Sequence, residues 1–257
     1  MALTDSQRNH IQQVIKTCLR NKFQNYKPES NNMPFHYRLL GKDRMALYSF
    51  IQSLNTTFGT SIFEPVAVIL AKDRFKQAVA QYVVGKTISE ECQQSIQKIM
   101  NGLTVGNNPN KRKEIELLRK VVVNGEMNEL RTVKADLFLE SKDGEIFLFD
   151  LKTAKPNISN FKDFKRTLLE WTGIVLTQNP KAKINTLVAI PYNPYEPQPY
   201  ERWTLKGMLD LEHELKVAEE FWDFLGGEGT YEDLLICFEA VGIEMRNEMD
   251  EYFSRFK

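Results

Sequence analysis

An aspartate and a lysine stand at the end of one of the most apolar stretches of this sequence of 257 residues. The run IFLFDL ends in Asp150 and Leu151, and Lys152 follows directly. A continuous apolar run of this length is typical of a strand that is buried on both faces. A carboxylate inside such a strand is costly unless a partner or a metal ion compensates for its charge. Asp150 is therefore a candidate for chemistry.

A second aspartate lies on the apolar segment before this run. The segments VKADLFLE and EIFLFDLK are separated by SKDG, which supplies turn residues, so the pattern predicts a β-hairpin. In this hairpin Asp136 pairs near residue 149 or 150. Because side chains alternate along a strand, Asp150 and Lys152 share one face and Leu151 points to the other. Both carboxylates are therefore expected to converge at the open end of the hairpin, with the lysine beside them.

Two carboxylates and a backbone carbonyl form a hard-oxygen site that suits Mg²⁺. We expect Asp136, Asp150 and the carbonyl of Leu151 to be its ligands. Hydrolysis of a phosphodiester needs a nucleophilic water, in-line placement and cancellation of developing negative charge, and Mg²⁺ supplies most of this. Lys152 could orient the water, accept its proton or stabilise the transition-state charge. The sequence leaves these three roles open.

The tripeptide that contains Asp150 and Lys152 is a weak signal by itself. An acidic residue two positions before a lysine occurs four times in this chain, and about three occurrences are expected by chance from its composition. What distinguishes this one is its position on an apolar strand and its pairing with Asp136. The competing interpretation is a structural ion pair that closes the hairpin.

The surrounding pattern predicts the elements that position the hairpin. We expect helices over 4–24, 43–54, 61–84, 88–101, 111–123, 161–177, 209–225 and 230–255, a third strand within 184–193 and a short strand at 201–205. The order indicates a single α/β domain over 1–257, in which helices wrap a small mixed sheet. Its parts are a mostly helical 1–124, a sheet and helix over 125–208 that carry the site, and acidic C-terminal helices over 209–257.

Composition excludes several classes of protein. With 42% hydrophobic and 26% charged residues, the sequence is that of an ordinary soluble globular protein. Its three cysteines are scattered and form no CxxC pair, which argues against a disulfide framework or a zinc knuckle. The N-terminal residues show no signal-peptide pattern, and no window approaches a membrane-spanning run. We therefore expect a cytoplasmic protein without membrane contact.

The net charge of zero hides an asymmetry. Residues 1–208 hold 30 Lys and Arg against 20 Asp and Glu, whereas residues 209–251 hold two against 14. This distribution fits a polyanionic partner for the first part, with the acidic tail turned away. A pair of solvated acidic helices explains it equally well.

The spacing of the charged residues resembles a known nuclease core. Asp136, a gap of 13 residues and then Asp150-x-Lys152 at the end of an apolar strand, with a helix after it, resemble the PD-(D/E)XK nuclease core. Lys134-Ala135-Asp136 stands where that superfamily often has Pro-Asp. This resemblance implies that Asp136, Asp150 and Lys152 form the catalytic motif.

A closer resemblance covers most of the chain. The segments MPFHYRLLGKDRM, SFIQSLNTTFGTSIFEPVAVILA and EEFWDFLGGEG are similar to type II restriction endonucleases of the TdeIII type, which are related to enzymes that cut GGNCC-containing duplexes. The resemblance implies a restriction-endonuclease-like core with helical N- and C-terminal additions. It also implies Mg²⁺-dependent cleavage of double-stranded DNA at a short palindromic site by a homodimer, with a GGNCC-like sequence as the candidate site. A cognate DNA methyltransferase is expected in the same system, but not as a bound partner.

The same resemblance assigns further residues. Glu64, in FGTSIFEP, matches the acidic residue that many such nucleases bring to the metal from a neighbouring helix, although a helix-terminal glutamate stabilised by the helix dipole is an equally good interpretation. The basic residues that follow the motif are candidates for phosphate contacts, with a solvated basic face as the alternative. These are Lys155, Lys162, Lys165 and Arg166, joined by Lys111, Arg112 and Lys113. The proline-rich loop 193–203, with Asn193, Gln198 and Arg202, is a candidate for base readout in the major groove, with a rigid connector as the alternative.

Three other functions stay compatible with the sequence. One is a different PD-(D/E)XK nuclease, such as a repair or junction-resolving enzyme. The others are a DNA-binding module that keeps the fold without catalysis, and a structural α/β protein. The complete set of Asp136, Asp150 and Lys152 favours an active nuclease, because a degenerate site should have lost at least one member.

Overall fold

The computed structural model describes residues 2–28, 33–152, 161–200 and 207–256. Over these ranges the helices are α1 (Asp5–Asn25), α2 (Pro34–Leu40), α3 (Lys42–Thr57), α4 (Glu64–Ala71), α5 (Glu90–Thr104), α6 (Lys111–Arg119), α7 (Phe161–Gln178), α8 (Glu219–Gly226), α9 (Thr230–Glu244) and α10 (Arg246–Ser254). The strands are β1 (Gln77–Ser89), β2 (Met127–Glu140), β3 (Ile146–Leu151), β4 (Ile184–Ile190) and β5 (Leu215–Val217).

The described strands form one mixed sheet in the order β1-β2-β3-β4-β5. Strand β2 pairs antiparallel with both β1 and β3, whereas β3, β4 and β5 run parallel to one another. The predicted hairpin is β2 and β3, closed where the Ser141 amide donates to the carbonyl of Glu145 at 2.8 Å and Gly144 adopts a left-handed φ of 77°. Helix α7 separates the parallel strands β3 and β4 in the sequence, as such a crossover requires. The predicted α/β, restriction-endonuclease-like fold class is confirmed.

Helices cover both faces of the sheet, because the central strands are apolar on both sides. Phe138 and Leu148 belong to the core formed with α5, α6 and α7. Leu137 and Phe149 belong to the opposite core, formed with α1, α4, α8 and α9. Full burial of each such side chain stabilises the fold by roughly 1.5–3 kcal/mol. The sheet is thereby fixed from both sides, and only its ends are open for chemistry.

The acidic C-terminal helices lie against the first helix rather than apart from it. Lys16 contacts Glu244 at 3.1 Å, and Arg20 contacts Glu248 at 2.8 Å. Arg8 reaches Asp233, which also accepts from the backbone amides of residues 2 and 3. Helix α1 therefore neutralises part of the charge of the acidic tail.

The helix predicted over 61–84 was wrong in its second half. The helical stretch ends at Ala71, and Gln77–Ser89 form the edge strand β1. The residues QAVAQYVV contain enough alanine and glutamine to extend a helical pattern, but Val, Tyr and Thr in this segment favour a strand. Long-range pairing with β2 decides the outcome.

Other differences are smaller. Helix α2, which begins at Pro34, was not predicted, although proline is favoured in the first turn of a helix. The helix predicted over 209–225 contains the edge strand β5 before α8. The predicted helix 111–123 ends at Arg119, and the strand predicted at 201–205 lies outside the described residues.

Helices α3 and α4 form one continuous helical stretch, Lys42–Ala71, with a π-helical segment at Phe58–Phe63 between them. Its length and composition alone would allow it to cross a membrane. A single helix of this kind is weak evidence, because core helices of soluble proteins meet the same criterion. The carboxylate of Glu64 lies within it and is buried.

A buried network of two lysines and two glutamates ties α6 and α7 to the segment before β5. The Nζ atom of Lys165 lies 2.5 Å from Glu114 and 2.7 Å from Glu214, and Lys111 lies 3.2 Å from Glu214. Lys111 also donates to the hydroxyl of Thr186 on β4. Although burial opposes it, the two lysines hold the pKa of Glu214 below its ordinary value.

This network corrects one predicted DNA contact. Lys165 has a relative exposure of 0%, so the prediction that it contacts a phosphate was wrong. Lys111, at 3%, is buried in the same way, whereas Arg112 and Lys113 are exposed. The helical periodicity of α7 turns Lys165 inward while Lys162 faces solvent.

Replacing Lys165 by alanine should lower the free energy of unfolding by about 3–5 kcal/mol, because two buried glutamates lose their counter-charge. Urea denaturation would measure this. Lys162→Ala, on the exposed face of the same helix, is the matched control and should change stability by less than about 0.5 kcal/mol. Equal effects of the two substitutions would contradict the assigned burial.

Candidate active site

The open end of the β2–β3 hairpin is held by a side chain rather than by the backbone ladder. Regular pairing ends at Leu137 opposite Phe149. One residue further, the carboxylate of Asp136 accepts the backbone N–H of Leu151 at 2.8 Å. Asp136 therefore lies beside Asp150, and the strands separate here.

Asp150 and Lys152 share one face of β3, as the alternation predicts. The Nζ atom of Lys152 lies 2.6 Å from Oδ1 of Asp150. The same ammonium lies 4.7 Å from the ring centroid of Phe164 on α7, a cation–π distance. The Lys152 backbone is fixed by its N–H bond to the carbonyl of Ala189 at 2.9 Å. The lysine is thus held from three directions, while 29% of its side chain stays exposed.

Asp150 is a perturbed carboxyl group. Burial raises the pKa of Asp150 to about 6, against the opposing effect of Lys152, and the charge and hydrogen bonding of Asp136 add to the increase. Its residue exposure is only 6%. Buried carboxylates with specific charged partners cluster at functional sites.

Glu64 reaches the same region from the other side of β1 and β2. It begins α4 directly after the π-helical segment and is 3% exposed. Its two carboxylate oxygens accept hydrogen bonds from Nε2 of Gln81 at 3.1 and 2.9 Å. Burial raises the pKa of Glu64 to about 7, although the Gln81 bond opposes the shift, and the charge of Asp136 contributes in the same direction as burial.

Gln81 is the residue at this site that sequence reasoning missed. Its Nε2 atom also lies 3.4 Å from Oδ1 of Asp136, so it bridges the two acidic side chains. It lies on β1, which the pattern misassigned to a helix. The run of Tyr82, Val83 and Val84 beside it was the available signal for a strand.

These residues open onto a cleft of about 720 Å³. Glu64, Asp136, Leu151 and Lys152 line its floor. One wall is the end of α3 and the π-helical segment, including Asn55, Thr56, Gly59 and Thr60, and the other comprises Pro191, Tyr192 and Pro194 after β4. π-Helical turns are frequent at functional sites. The cleft places polar side chains and backbone directly above the acidic cluster.

The acidic residues fit a divalent cation that is shared with a substrate. Among the described residues, no three His, Cys, Asp or Glu side chains enclose a metal position by themselves. Yet Glu64 and Asp150 are buried carboxylates, which contact the amide of Gln81 and the ammonium of Lys152, respectively. Mg²⁺ is usually bound by one or two carboxylates together with waters and phosphate oxygens. A few carboxylates beside an open cleft match this mode of binding.

The residues that were predicted to contact DNA differ in their exposure. Lys162 is exposed at the start of α7, and Arg166 is half-buried and donates to Gln97 at 2.8 Å. Lys165 is buried, as described above, and Lys155 and Arg202 lie outside the described residues. Asn193, considered for base recognition, uses its side chain within its own loop, because it bonds the backbone of Gln198 and Tyr195.

Comparison with known proteins identifies the class. The sequence model of the type II restriction endonuclease family HinfI matches residues 3–242. The chain belongs to the HinfI family of type II restriction endonucleases. The predicted restriction endonuclease is confirmed, whereas the narrower TdeIII type is not.

Curated relatives agree with this family. The chain is 27% identical to the type II restriction enzyme HgiCII of Herpetosiphon aurantiacus over 221 residues, which covers 84% of this chain and 80% of the relative. It is 28% identical to the type II restriction enzyme MjaII of Methanocaldococcus jannaschii over 252 residues, covering 88% and 66%. Membership implies DNA as the substrate. Enzymes of this class generally use divalent metal ions and are typically soluble and cytoplasmic.

The buried carboxyl of Glu64 should make stability depend on pH when no metal is added. Because its folded pKa of about 7 lies above the ordinary glutamate value of 4.5, its favourable contribution is complete below about pH 4.5 and is lost as the pH rises through 7. From pH 5 to pH 8 the free energy of unfolding of the parent should fall relative to Glu64→Gln, by on the order of 2 kcal/mol.

Urea denaturation in a chelating buffer at several pH values would measure this difference. Glu228→Gln, on the surface, is the control and should keep a constant offset from the parent. An offset between the parent and Glu64→Gln that does not change with pH would show that the Glu64 carboxyl is not buried in solution.

Proposed function

We propose that this chain is a Mg²⁺-dependent endonuclease that hydrolyses phosphodiester bonds of double-stranded DNA at a short palindromic site. The observation that carries the proposal is the convergence of Glu64, Asp136 and Lys152 on one cleft. Asp150 is buried beside them and contacts Lys152. Membership of a restriction endonuclease family supports the DNA substrate. We propose a GGNCC-like sequence as the first site to test.

In this proposal the acidic residues hold the cation. Asp136, Asp150 and the carbonyl of Leu151 are the ligands, and Glu64 approaches from α4 as a further carboxylate. A bound Mg²⁺ would polarise the phosphate and lower the pKa of a coordinated water. The Leu151 N–H donates to Oδ2 of Asp136, so the cation would be bound through Oδ1, which lies 3.4 Å from Nε2 of Gln81. The buried setting strengthens every electrostatic interaction at the site.

Lys152 is proposed to act on the reacting groups themselves. Its ammonium contacts Asp150 and packs over Phe164, so its position is fixed before substrate binds. A positive charge at this place stabilises negative charge that develops on the phosphate. It also orients a water between the lysine and the scissile bond. The exposed part of its side chain is on the cleft side, where DNA would lie.

The remaining DNA contacts are assigned to basic residues outside the acidic cluster. We propose that Arg202 contributes to base readout, and that Lys162 and Arg166 on α7, together with Lys155, contact backbone phosphates. Such contacts fix the position of the duplex without reading its sequence. The polar wall that includes Asn55 and Thr60 is exposed beside the acidic floor and is proposed to face the sugar-phosphate strand.

A palindromic duplex carries two equivalent scissile bonds, so we propose that two copies of this chain act together, each cutting one strand. The whole chain, 1–257, is proposed to be one nuclease domain that works in the cytoplasm beside a cognate DNA methyltransferase. Sedimentation of the protein on a duplex of defined sequence would give the stoichiometry. One copy per cleaved duplex would contradict the dimer.

Asp150→Ala and Lys152→Ala should each reduce cleavage at least about 1,000-fold, because the first removes a ligand of the cation and the second removes a positive charge beside the transition state. Both variants should stay folded and still bind DNA in Ca²⁺. The matched control is Lys142→Ala, which alters the same acidic-x-lysine pattern at the closed end of the hairpin and should cut like the parent. Plasmid cleavage followed on gels would decide, and full activity of both site variants would refute the assignment.

Digestion of a completely sequenced DNA with Mg²⁺ tests the specificity. Discrete fragments would support a restriction endonuclease and would give the recognition sequence directly. A continuous smear would indicate a nonspecific nuclease instead. No cutting under any divalent cation would favour a DNA-binding module without catalysis.

A further inference from the structure

Gln81 has an unusual backbone conformation for its place in the fold. It lies within the 13-residue strand β1, yet its φ is +53°. Its neighbours Ala80 and Tyr82 pair with Leu137 and Ala135, so Gln81 stands opposite Asp136. A left-handed φ is disfavoured for residues with a Cβ atom, and glycine or asparagine adopt it more readily. Strained residues of this kind persist where surrounding structure holds them and cluster at functional sites.

The left-handed residue reverses the facing of β1. In a regular strand, positions separated by an odd number lie on opposite faces. Val79 and Tyr82 are three residues apart, yet both pack against the α5–α6–α7 core. The same reversal occurs in β2, where Phe138 and Ala135 both belong to that core. The two strands therefore change phase together at the pair formed by Gln81 and Asp136.

At this change of phase, the side chains of Gln81 and Asp136 are available to form the site. Gln81 is exposed and Asp136 is half-buried, and Asp136 lines the cleft. The Nε2 atom of Gln81 lies within 3.4 Å of three carboxylate oxygens, two of Glu64 and one of Asp136. An ionised carboxylate only accepts hydrogen bonds, so the amide must present its N–H groups to both. The electropositive N–H end of the amide therefore lies between the two acidic side chains.

We infer that Gln81 is a positioning residue of the catalytic centre, which holds the carboxylates of Glu64 and Asp136 in convergent orientation for a divalent cation. The inference rests on the proposed metal-dependent function and adds a residue to it. Glu64 arrives on a helix and Asp136 on a strand, and the described contacts give them no shared partner except this carboxamide. Without it, two negative groups would repel one another and turn apart.

The backbone and the side chain of Gln81 can be tested separately. Gln81→Gly keeps the left-handed conformation without strain and removes the carboxamide. Gln81→Ala removes the carboxamide and keeps the strain. Both should bind Ca²⁺ about 10- to 100-fold more weakly than the parent, as expected when a group that orients metal ligands is lost, while the glycine variant should be at least as stable as the alanine variant.

Isothermal titration of the full chain with Ca²⁺, in the absence of DNA, gives the affinity independently of cleavage. Gln178→Ala is the matched control, because that glutamine also holds β1 through its carboxamide, but at the carbonyl of Val84, outside the site. It should bind Ca²⁺ like the parent. If Gln81→Ala fails to fold, the glycine variant carries the test.

The outcomes distinguish this inference from the function on which it rests. Parental Ca²⁺ affinity in Gln81→Gly, with a parent that binds and cuts, would refute the role of Gln81 and leave the proposed function intact. A parent that binds no divalent cation, with or without DNA, would refute the proposed metal site and this inference together. A selective loss of affinity in both Gln81 variants would support it.

Discussion

The hydrogen bond from the Leu151 amide to the Asp136 carboxylate is the interaction on which the site depends. It lies where the ladder between β2 and β3 ends. It therefore holds the open end of the hairpin together and fixes one acidic side chain in the same step. Because Leu151 stands between Asp150 and Lys152, the same bond fixes the position of these two residues along β3 relative to Asp136. A backbone donor satisfied in this way also avoids the cost of an unpaired buried amide.

The part of this arrangement that could be predicted from sequence is the part built from local pattern. The hairpin, its turn and the shared face of Asp150 and Lys152 follow from alternation and from four turn residues. Strand β1 could not be predicted in the same way, because its edge position and its change of phase at Gln81 depend on pairing with β2, some 50 residues later. Three-residue β5 exists only by its contact with β4. Gln81 was missed because its element was missed.

Charge illustrates the same limit. Lys162 and Lys165 lie three positions apart on α7 and look equivalent in the sequence, yet one faces solvent and the other is enclosed by Glu114 and Glu214. The acidic C-terminal helices likewise find their counter-charges on α1. Composition therefore registers how much charge there is, but only packing decides which charges remain free for DNA. In this chain, internal ion pairs neutralise part of the charge asymmetry between the first 208 residues and the C-terminal helices.

The number of residues in the π-helical segment between α3 and α4 determines how the side chains of α3 are oriented relative to Glu64. Each residue of a helix advances the direction of its side chains by about 100°, and the segment at Phe58–Phe63 sets the rotation of α3 relative to Glu64. Substitutions in Asn55 or Thr60 change what the cleft wall displays without moving Glu64. A single insertion or deletion in this segment would instead turn the entire wall around its axis. The side chains of the cleft wall can therefore vary in chemistry. Their orientation relative to the acidic residues depends on the number of residues between α3 and Glu64.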